Sequence, residues 1–263
     1  MPELITSRSN PLVRQIRSLH QQKSRSESGL FLVEGIHQVG EVVQAGWKIE
    51  TLVYSPDLLT SEFGLRLVNE LSQRGIRCAA FSGKLFTDLS GKENPQGILA
   101  VVRQGIQTLE NYPSRNFSWG AACISPQDPG NVGTILRTLD AVGADGLFIL
   151  DGGVDLFHPS LIRASMGTLF WKPVVQATFN EFVNWVRESG VQLIGSSAHA
   201  VSDYRAYKRN GQRVILLLGN EQKGLTEEQL EACDGVLSMP MKGRGSSLNL
   251  AVAAGILLYT LMD

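Results

Sequence analysis

The chain has 263 residues, 43% of them hydrophobic, with 24 Lys and Arg against 25 Asp and Glu. This is the composition of a soluble globular protein with room for one large domain or two modest ones. No apolar run approaches the roughly 18 to 20 residues of a membrane span, and the near-neutral charge points to no particular class of partner.

The polar start, Met1 to Asn10, has no apolar core, so no secretory signal is expected and a cytoplasmic protein is. Residues 1–26 carry Arg8, Arg14, Arg17, Lys23 and Arg25 against the single acid Glu3. A local basic segment of this kind can follow phosphates even in a neutral chain. Asn10 or Ser9 can cap a helix with Pro11 at its first position. Leu12, Val13, Ile16 and Leu19 fall on one side of it, with Arg14 and Arg17 off that stripe. Phe31–Val33 and Lys48–Tyr54 read as strands, separated by a helical stripe of Ile36, Val39, Val42 and Val43 that Gly46 closes. A helix over 64–74 and strands at 77–81 and 98–102 complete a small α/β domain over residues 1–105. Residues 106–118, polar and mixed with Asn111, Pro113, Ser114 and Asn116, read as a linker.

Residues 119–263 alternate strand and helix. Ala121–Ser125, Gly146–Leu150, Val191–Ser196, Val214–Leu218 and Gly235–Met239 are continuous apolar runs, as expected of a parallel sheet buried on both faces. Helices are predicted near 132–142, 159–167, 179–189 and 226–232. A last helix from about Ser247 to Leu261, capped by Ser246 or Ser247, is apolar almost all round. A helix without a polar face must be covered on every side, and Leu250, Ala254, Leu257 and Leu258 are expected to contribute to a subunit interface.

Three loops carry the chemistry. Asp128–Gly133 follows a strand and opens a helix bearing Arg137, with Asn131 in the loop. That is the C-terminal edge of a parallel sheet, where open sheets bind ligands, and a glycine-rich helix start favours anions. Arg137 is expected about one turn into the helix, with a fork suited to phosphate or a polarised hydroxyl. Leu218-Gly219 and Gly224 bracket a second loop containing Glu221. Its GxxxxG spacing lacks the lysine of a phosphate-binding loop, Leu225 standing there instead, and no GxGxxG occurs. Glu221 can orient Arg137 or a lysine. Met239, Met241, Ser247 and Leu248 with Gly243–Gly245 form the third loop, an apolar slot with backbone groups suited to an adenine edge and ribose. Asn249 follows it and can bond loop backbone or substrate. Cys78, Cys123 and Cys233 are too dispersed for a disulfide framework or a CxxC site and read as small buried hydrophobes. His20, His37, His158 and His199 lack metal-ligand spacing, so no metal is expected.

These stretches, in this order, resemble the SpoU/TrmH family of RNA ribose 2′-O-methyltransferases in the SPOUT superfamily. Asn131, Gly133 and Arg137 match its first motif. Gly219, Glu221 and Gly224 match the second. Pro240, Met241, Gly243, Ser247, Leu248 and Asn249 match the third. Ser165-Met166-Gly167 matches the intervening segment, and Met239 stands where the family commonly has Ile. The likeness covers roughly 120–263. Residues 1–105, with Gly29–Gly35, look like the substrate-binding domain often fused to it. The resemblance implies S-adenosylmethionine as methyl donor, a parallel-sheet domain with a deep trefoil knot, a homodimer, and RNA, ribosomal or transfer, as substrate. It assigns Arg137, Asn131, Glu221 and Asn249 to catalysis, and Leu218, Gly219, Met239, Met241, Ser247 and Leu248 to the cofactor. Arg14, Arg17, Lys23 and Arg25 are expected to add RNA affinity. The rival reading is a non-catalytic RNA-binding protein that kept the fold.

Overall fold

A computed structural model of the chain describes residues 3–112, 114, 117–245 and 247–262. The chain divides into two compact units, Met1–Gly105 with Phe157–Arg163, and Ile106–Leu156 with Ala164–Asp263.

The first unit contains β1 (Leu4–Ile5), α1 (Pro11–Ser18), α2 (Gln22–Ser28), β2 (Leu30–Glu34), α3 (Ile36–Gln44), β3 (Ile49–Tyr54), α4 (Glu62–Gln73), β4 (Arg77–Phe81), α5 (Gly83–Leu89) and β5 (Ile98–Arg103). Its sheet runs β1-β4-β3-β5-β2, with β5 antiparallel to both neighbours. Asn10 caps α1 through Leu12 N at 2.9 Å, with Pro11 next, as the sequence predicts. Leu12, Val13, Ile16 and Leu19 join Leu85, Phe86 and Leu89 of α5 over Leu30, Leu32, Val53, Phe81, Leu99 and Val101. Thus α1 and α5 cover one face of the sheet. The other residues of β2 turn away, and Phe31 meets Trp47 and Phe157, with the Phe157 ring at 4.5 Å.

Arg25 corrects an expectation. It sits on α2, a helix whose sequence carries no apolar stripe, yet its side chain is 2% exposed. Nη1 donates to the carbonyls of Leu19 and His20 at 2.8 and 2.9 Å. A buried guanidinium tying α2 to the end of α1 cannot also meet a phosphate, so Arg25 leaves the candidate RNA contacts.

The second unit contains β6 (Trp119–Ile124), α6 (Pro129–Ala141), β7 (Gly146–Leu150), the end of α7 (Pro159–Ser165, whose residues 159–163 belong to the first unit), β8 (Val174–Ala177), α8 (Phe179–Ser189), β9 (Gln192–Ser196), β10 (Ser202–Asp203), β11 (Val214–Leu218), α9 (Glu227–Glu231), β12 (Gly235–Ser238) and α10 (Leu250–Leu261). All seven strands are parallel, in the order β10-β12-β9-β11-β6-β7-β8. The five predicted strands are present. β8 and β10 escaped the sequence reading because four and two residues are too few to show a pattern. Pro113 and Asn116 of the expected linker lie outside the described residues. Gln107 bridges to Val175, and Tyr112 packs against Phe117, Phe148 and Trp185.

The order places the functional edge. The path β6, β7, β8 runs one way from the sheet centre, and β9 begins the other half. The switch point lies beside β6, where Leu218 of β11 registers with Cys123. Loops leaving β6, β11, β9 and β12 therefore emerge side by side at the C-terminal edge, the usual ligand position in such sheets.

Candidate active site

Each loop is shaped by local bonds. Asp128 caps α6 through Gly130 N at 2.7 Å, with Pro129 at the first helical position. After β11, Asn220 N and O pair with Gly224 O and N at 3.1 and 2.9 Å. The Asn220 side chain accepts from Gln222 N and Lys223 N and donates to Ser125 O at 2.8 Å. This closed loop demands glycine at 219, where a Cβ would come 2.4 Å from Gly224 C and 2.6 Å from Leu225 N.

Glu221, Asn131 and Asn249 form one chain. The Glu221 carboxylate accepts from Gln127 N at 3.1 and 3.0 Å and from Asp128 N at 3.4 Å. Asn131 Nδ2 reaches it at 3.5 Å. Asn249 Nδ2 donates to Asn131 Oδ1 at 2.9 Å. Asn249 Oδ1 accepts from Ala251 N and Val252 N, capping α10. The cap fixes which end of the Asn249 amide faces Asn131, and that in turn turns Asn131 Nδ2 toward Glu221. The last helix is therefore capped by Asn249 and begins at Leu250, rather than by a serine near 247. Ser246 lies outside the described residues.

Beside this chain lies a cavity of about 380 Å³. Leu218, Gly219, Met239, Met241, Ser247 and Leu248 all line it, together with Leu237 and Ala253. Ser196, Ser197 and His199 line it too. Sequence reading passed over these three because the loop after β9 joins the pocket only through the strand order, which places β9 between β11 and β12. Leu237 and Leu218 are buried, while Met241 and Leu248 stand at the mouth, each 38% exposed.

Arg137 stands apart. α6 starts at Pro129, so Arg137 is in its third turn, about 12 Å from the start at 1.5 Å per residue. It lies roughly 120° around the helix from Asn131. Its side chain is exposed, and no hydrogen bond or ion pair holds it among the described residues. The expectation of a guanidinium one turn from the loop is corrected accordingly. α10 corrects another. Leu250, Ala254, Leu257 and Leu258 are buried within the chain, whereas Val252, Ile256 and Tyr259 are 51%, 37% and 56% exposed at helical spacing.

Burial raises all three thiols, Cys123 to about 12 with Glu221 adding to the effect and Cys233 to about 11 with Asp234 adding, so neither is a thiolate at neutral pH. Among the described residues no cluster of three or more His, Cys, Asp or Glu is placed to hold a metal, and no helix is long and apolar enough to cross a membrane.

The model of the SpoU rRNA methylase family matches residues 121–259, more than half of the chain. The chain belongs to the SpoU rRNA methylase family. The α/β architecture with its C-terminal parallel sheet is that of the SPOUT methyltransferases. An MRM3-like substrate binding domain matches residues 10–100. The 23S rRNA (uridine(2479)-2'-O)-methyltransferase of Streptomyces viridochromogenes is 33% identical over 262 residues, 97% of this chain and 90% of that protein. The 23S rRNA (guanosine(2553)-2'-O)-methyltransferase RlmP of Bacillus subtilis strain 168 is 30% identical over 260 residues, 98% of each. The crystal structure of an AdoMet-bound rRNA methyltransferase from Sinorhizobium meliloti matches with a TM-score of 0.89 at 34% identity, covering 98% of this chain and 96% of that one. The loops after β11 and β12 line the cavity, and the loop after β6 meets them through Asn131 in the Glu221–Asn131–Asn249 chain.

Proposed function

We propose that this chain transfers a methyl group from S-adenosylmethionine to a ribose 2′-hydroxyl of ribosomal RNA. The observation that carries the reading is that the second and third motifs line one cavity while Asn131 of the first joins Glu221 and Asn249 in an acid–amide chain beside it. The relatives named above support it, since both are 23S rRNA 2′-O-methyltransferases across nearly their whole length. They favour an enzyme over a non-catalytic RNA-binding protein. One acts on a uridine and the other on a guanosine, which points to chemistry at the ribose that both nucleotides share.

The residues of the cavity fit the cofactor. Leu218, Leu237, Met239, Met241 and Leu248 would offer apolar contact to an adenine ring, and the loop Gly219–Gly224 would offer its backbone groups to the ribose. Ser196, Ser197 and His199 offer polar contact. When bound, S-adenosylmethionine supplies a sulfonium-activated methyl group. The remaining work falls to the protein. Asn131 and Asn249 fix the edge of the pocket, and Glu221 ties the loop after β11 to the loop after β6. Arg137 positions the substrate by gripping the hydroxyl or an adjacent phosphate. A guanidinium suits electrostatic stabilisation rather than taking a proton, so the hydroxyl proton passes to a phosphate or another acceptor. In-line positioning supplies most of the acceleration.

The exposed stripe Val252, Ile256 and Tyr259 supports a homodimer through α10, whose neighbour α6 carries Arg137. The family fold supports a trefoil knot in the C-terminal unit. Arg14, Arg17 and Lys23 are the proposed RNA contacts of the first unit. Calorimetric titration with S-adenosylmethionine and with its demethylated product tests the cofactor reading. Saturable binding at micromolar to millimolar ligand is expected, and absence of heat and of any thermal shift would overturn it.

A further inference from the structure

We infer that the first unit meets RNA through the face formed by α1 and α5, with Lys84 as an additional phosphate contact, and not through the face formed by α3 and α4. This rests on the rRNA reading above and names the surface that reading leaves open.

The two helix layers differ in how their charges are used. On α3 and α4 each basic side chain already has an acid one turn away. His37 lies 3.3 Å from Glu41, Arg66 lies 3.7 Å from Glu62, and Arg74 pairs with Glu70. That layer also exposes Phe63 and Leu65. A face whose charges are internally matched offers little net attraction to a polyanion.

On α1 and α5 the balance is different. The buried stripe Leu12, Val13, Ile16 and Leu19 sets Arg14 on the opposite, outward side of α1, with Arg17 one turn on. The stripe Leu85, Phe86 and Leu89 does the same for Lys84 on α5. The helices share one core cluster, so these three exposed cations belong to one layer. The carboxylates on this side are already engaged. Asp88 pairs with Arg8, and Asp57 Oδ2 accepts from Gly83 N at 2.7 Å. Among the described residues Arg14, Arg17 and Lys84 have no acidic partner.

A hollow of about 290 Å³ on the same unit is lined by Thr6, Arg8, Ser82, Lys84, Leu85 and Asp88. It sets Lys84 and the hydroxyls of Thr6 and Ser82 around one space, a donor set that suits a backbone phosphate, while Arg8 is already matched by Asp88. Lys23, by contrast, lies 3.8 Å from Glu27, both well exposed, and is already partly matched.

The test compares a triple and a double variant of the protein, binding 23S ribosomal RNA stripped of protein, over a range of salt. Arg14→Ala/Arg17→Ala/Lys84→Ala is expected to weaken binding and to lower the slope of log affinity against log salt by roughly 0.7 to 0.9 per lost phosphate contact. Arg66→Ala/Arg74→Ala is expected to leave affinity and slope unchanged. Both variants should keep the wild-type melting temperature, since all five side chains are exposed, and the same cofactor affinity by calorimetry. An unchanged slope in the triple variant, or a flattened slope in the α4 variant, would overturn the assignment of the face while leaving RNA binding intact. A wild-type protein that binds cofactor but not the RNA would overturn the underlying reading instead. Restoring one cation with Lys84 in the Arg14→Ala/Arg17→Ala background separates its share: a slope no higher than that of the triple variant would remove Lys84 from the surface.

Discussion

The Asn249 carboxamide has two jobs. Its oxygen caps α10 and its nitrogen orients Asn131 toward Glu221. The two jobs separate by substitution. Asn249→Asp keeps the cap oxygen but places a carboxylate against Asn131 Oδ1. It should hold the melting temperature within a degree or two and lower methyl transfer by at least tenfold. Asn249→Ala loses both and should also cost about 1 kcal/mol of stability. Equal activity of Asn249→Asp and wild type would break the proposed chain. Arg137 should behave differently, because it touches nothing that folding requires. Arg137→Ala should reduce single-turnover transfer by about 10² to 10³, or ~3 to 4 kcal/mol, the usual cost of losing a donor that meets developing charge in the transition state. Cofactor affinity should be unaltered. Arg137→Lys should also be poor, because a point charge does not replace the planar fork. Transfer within a factor of a few of wild type would remove Arg137 from the reaction. Arg25 makes the opposite prediction: Arg25→Ala leaves the carbonyls of Leu19 and His20 without their donor and should cost about 1 to 3 kcal/mol. Chemical denaturation reads this directly, with Arg14→Ala as the neutral control.

At the scale of elements, the loop after β11 needs glycine at 219 for space and at 224 for a left-handed backbone, φ +67°. A methyl group at 219 would sit 2.4 Å from the backbone of Gly224. Gly219→Ala must therefore open the Asn220–Gly224 pairing, and it should abolish measurable cofactor binding while the parallel sheet stays folded. Unchanged cofactor affinity with retained circular dichroism would show that the loop does not hold the ligand. The same scale shows what the sequence could reveal. β6, β7, β9 and β11 were legible because burial on both faces writes a continuous apolar run. α1 was legible from Asn10, Pro11 and one apolar stripe. α2 was not, because its only buried side chain is an arginine, and counting charge cannot tell a solvated guanidinium from one satisfied by carbonyls. The start of the last helix is ambiguous in the sequence because serine and asparagine cap about equally well, and only the contact with Asn131 singles out Asn249. The Ser196–His199 wall was invisible because it becomes part of the pocket only when β9 inserts between β11 and β12.

For the whole molecule, α10 links the fold to assembly. Its inner residues, Ala254, Leu257 and Leu258, are fully buried, and each leucine contributes roughly 1.5 to 3 kcal/mol to the chain's own core. Its outer stripe, Val252, Ile256 and Tyr259, remains available to a second copy. Light scattering should give twice the chain mass for wild type and a single chain mass for Ile256→Glu/Tyr259→Glu, still folded. A wild-type monomer at micromolar concentration would contradict the dimer. The central claim is methyl transfer to ribose, and one measurement addresses it most directly. Unmodified 23S ribosomal RNA is incubated with the protein and methyl-labelled S-adenosylmethionine, then digested to nucleosides. The account predicts label in a 2′-O-methylated nucleoside, confined to one position in the RNA and lost with Arg137→Ala. Label on a base, or RNA that stays unlabelled although the protein binds both RNA and cofactor, would contradict it.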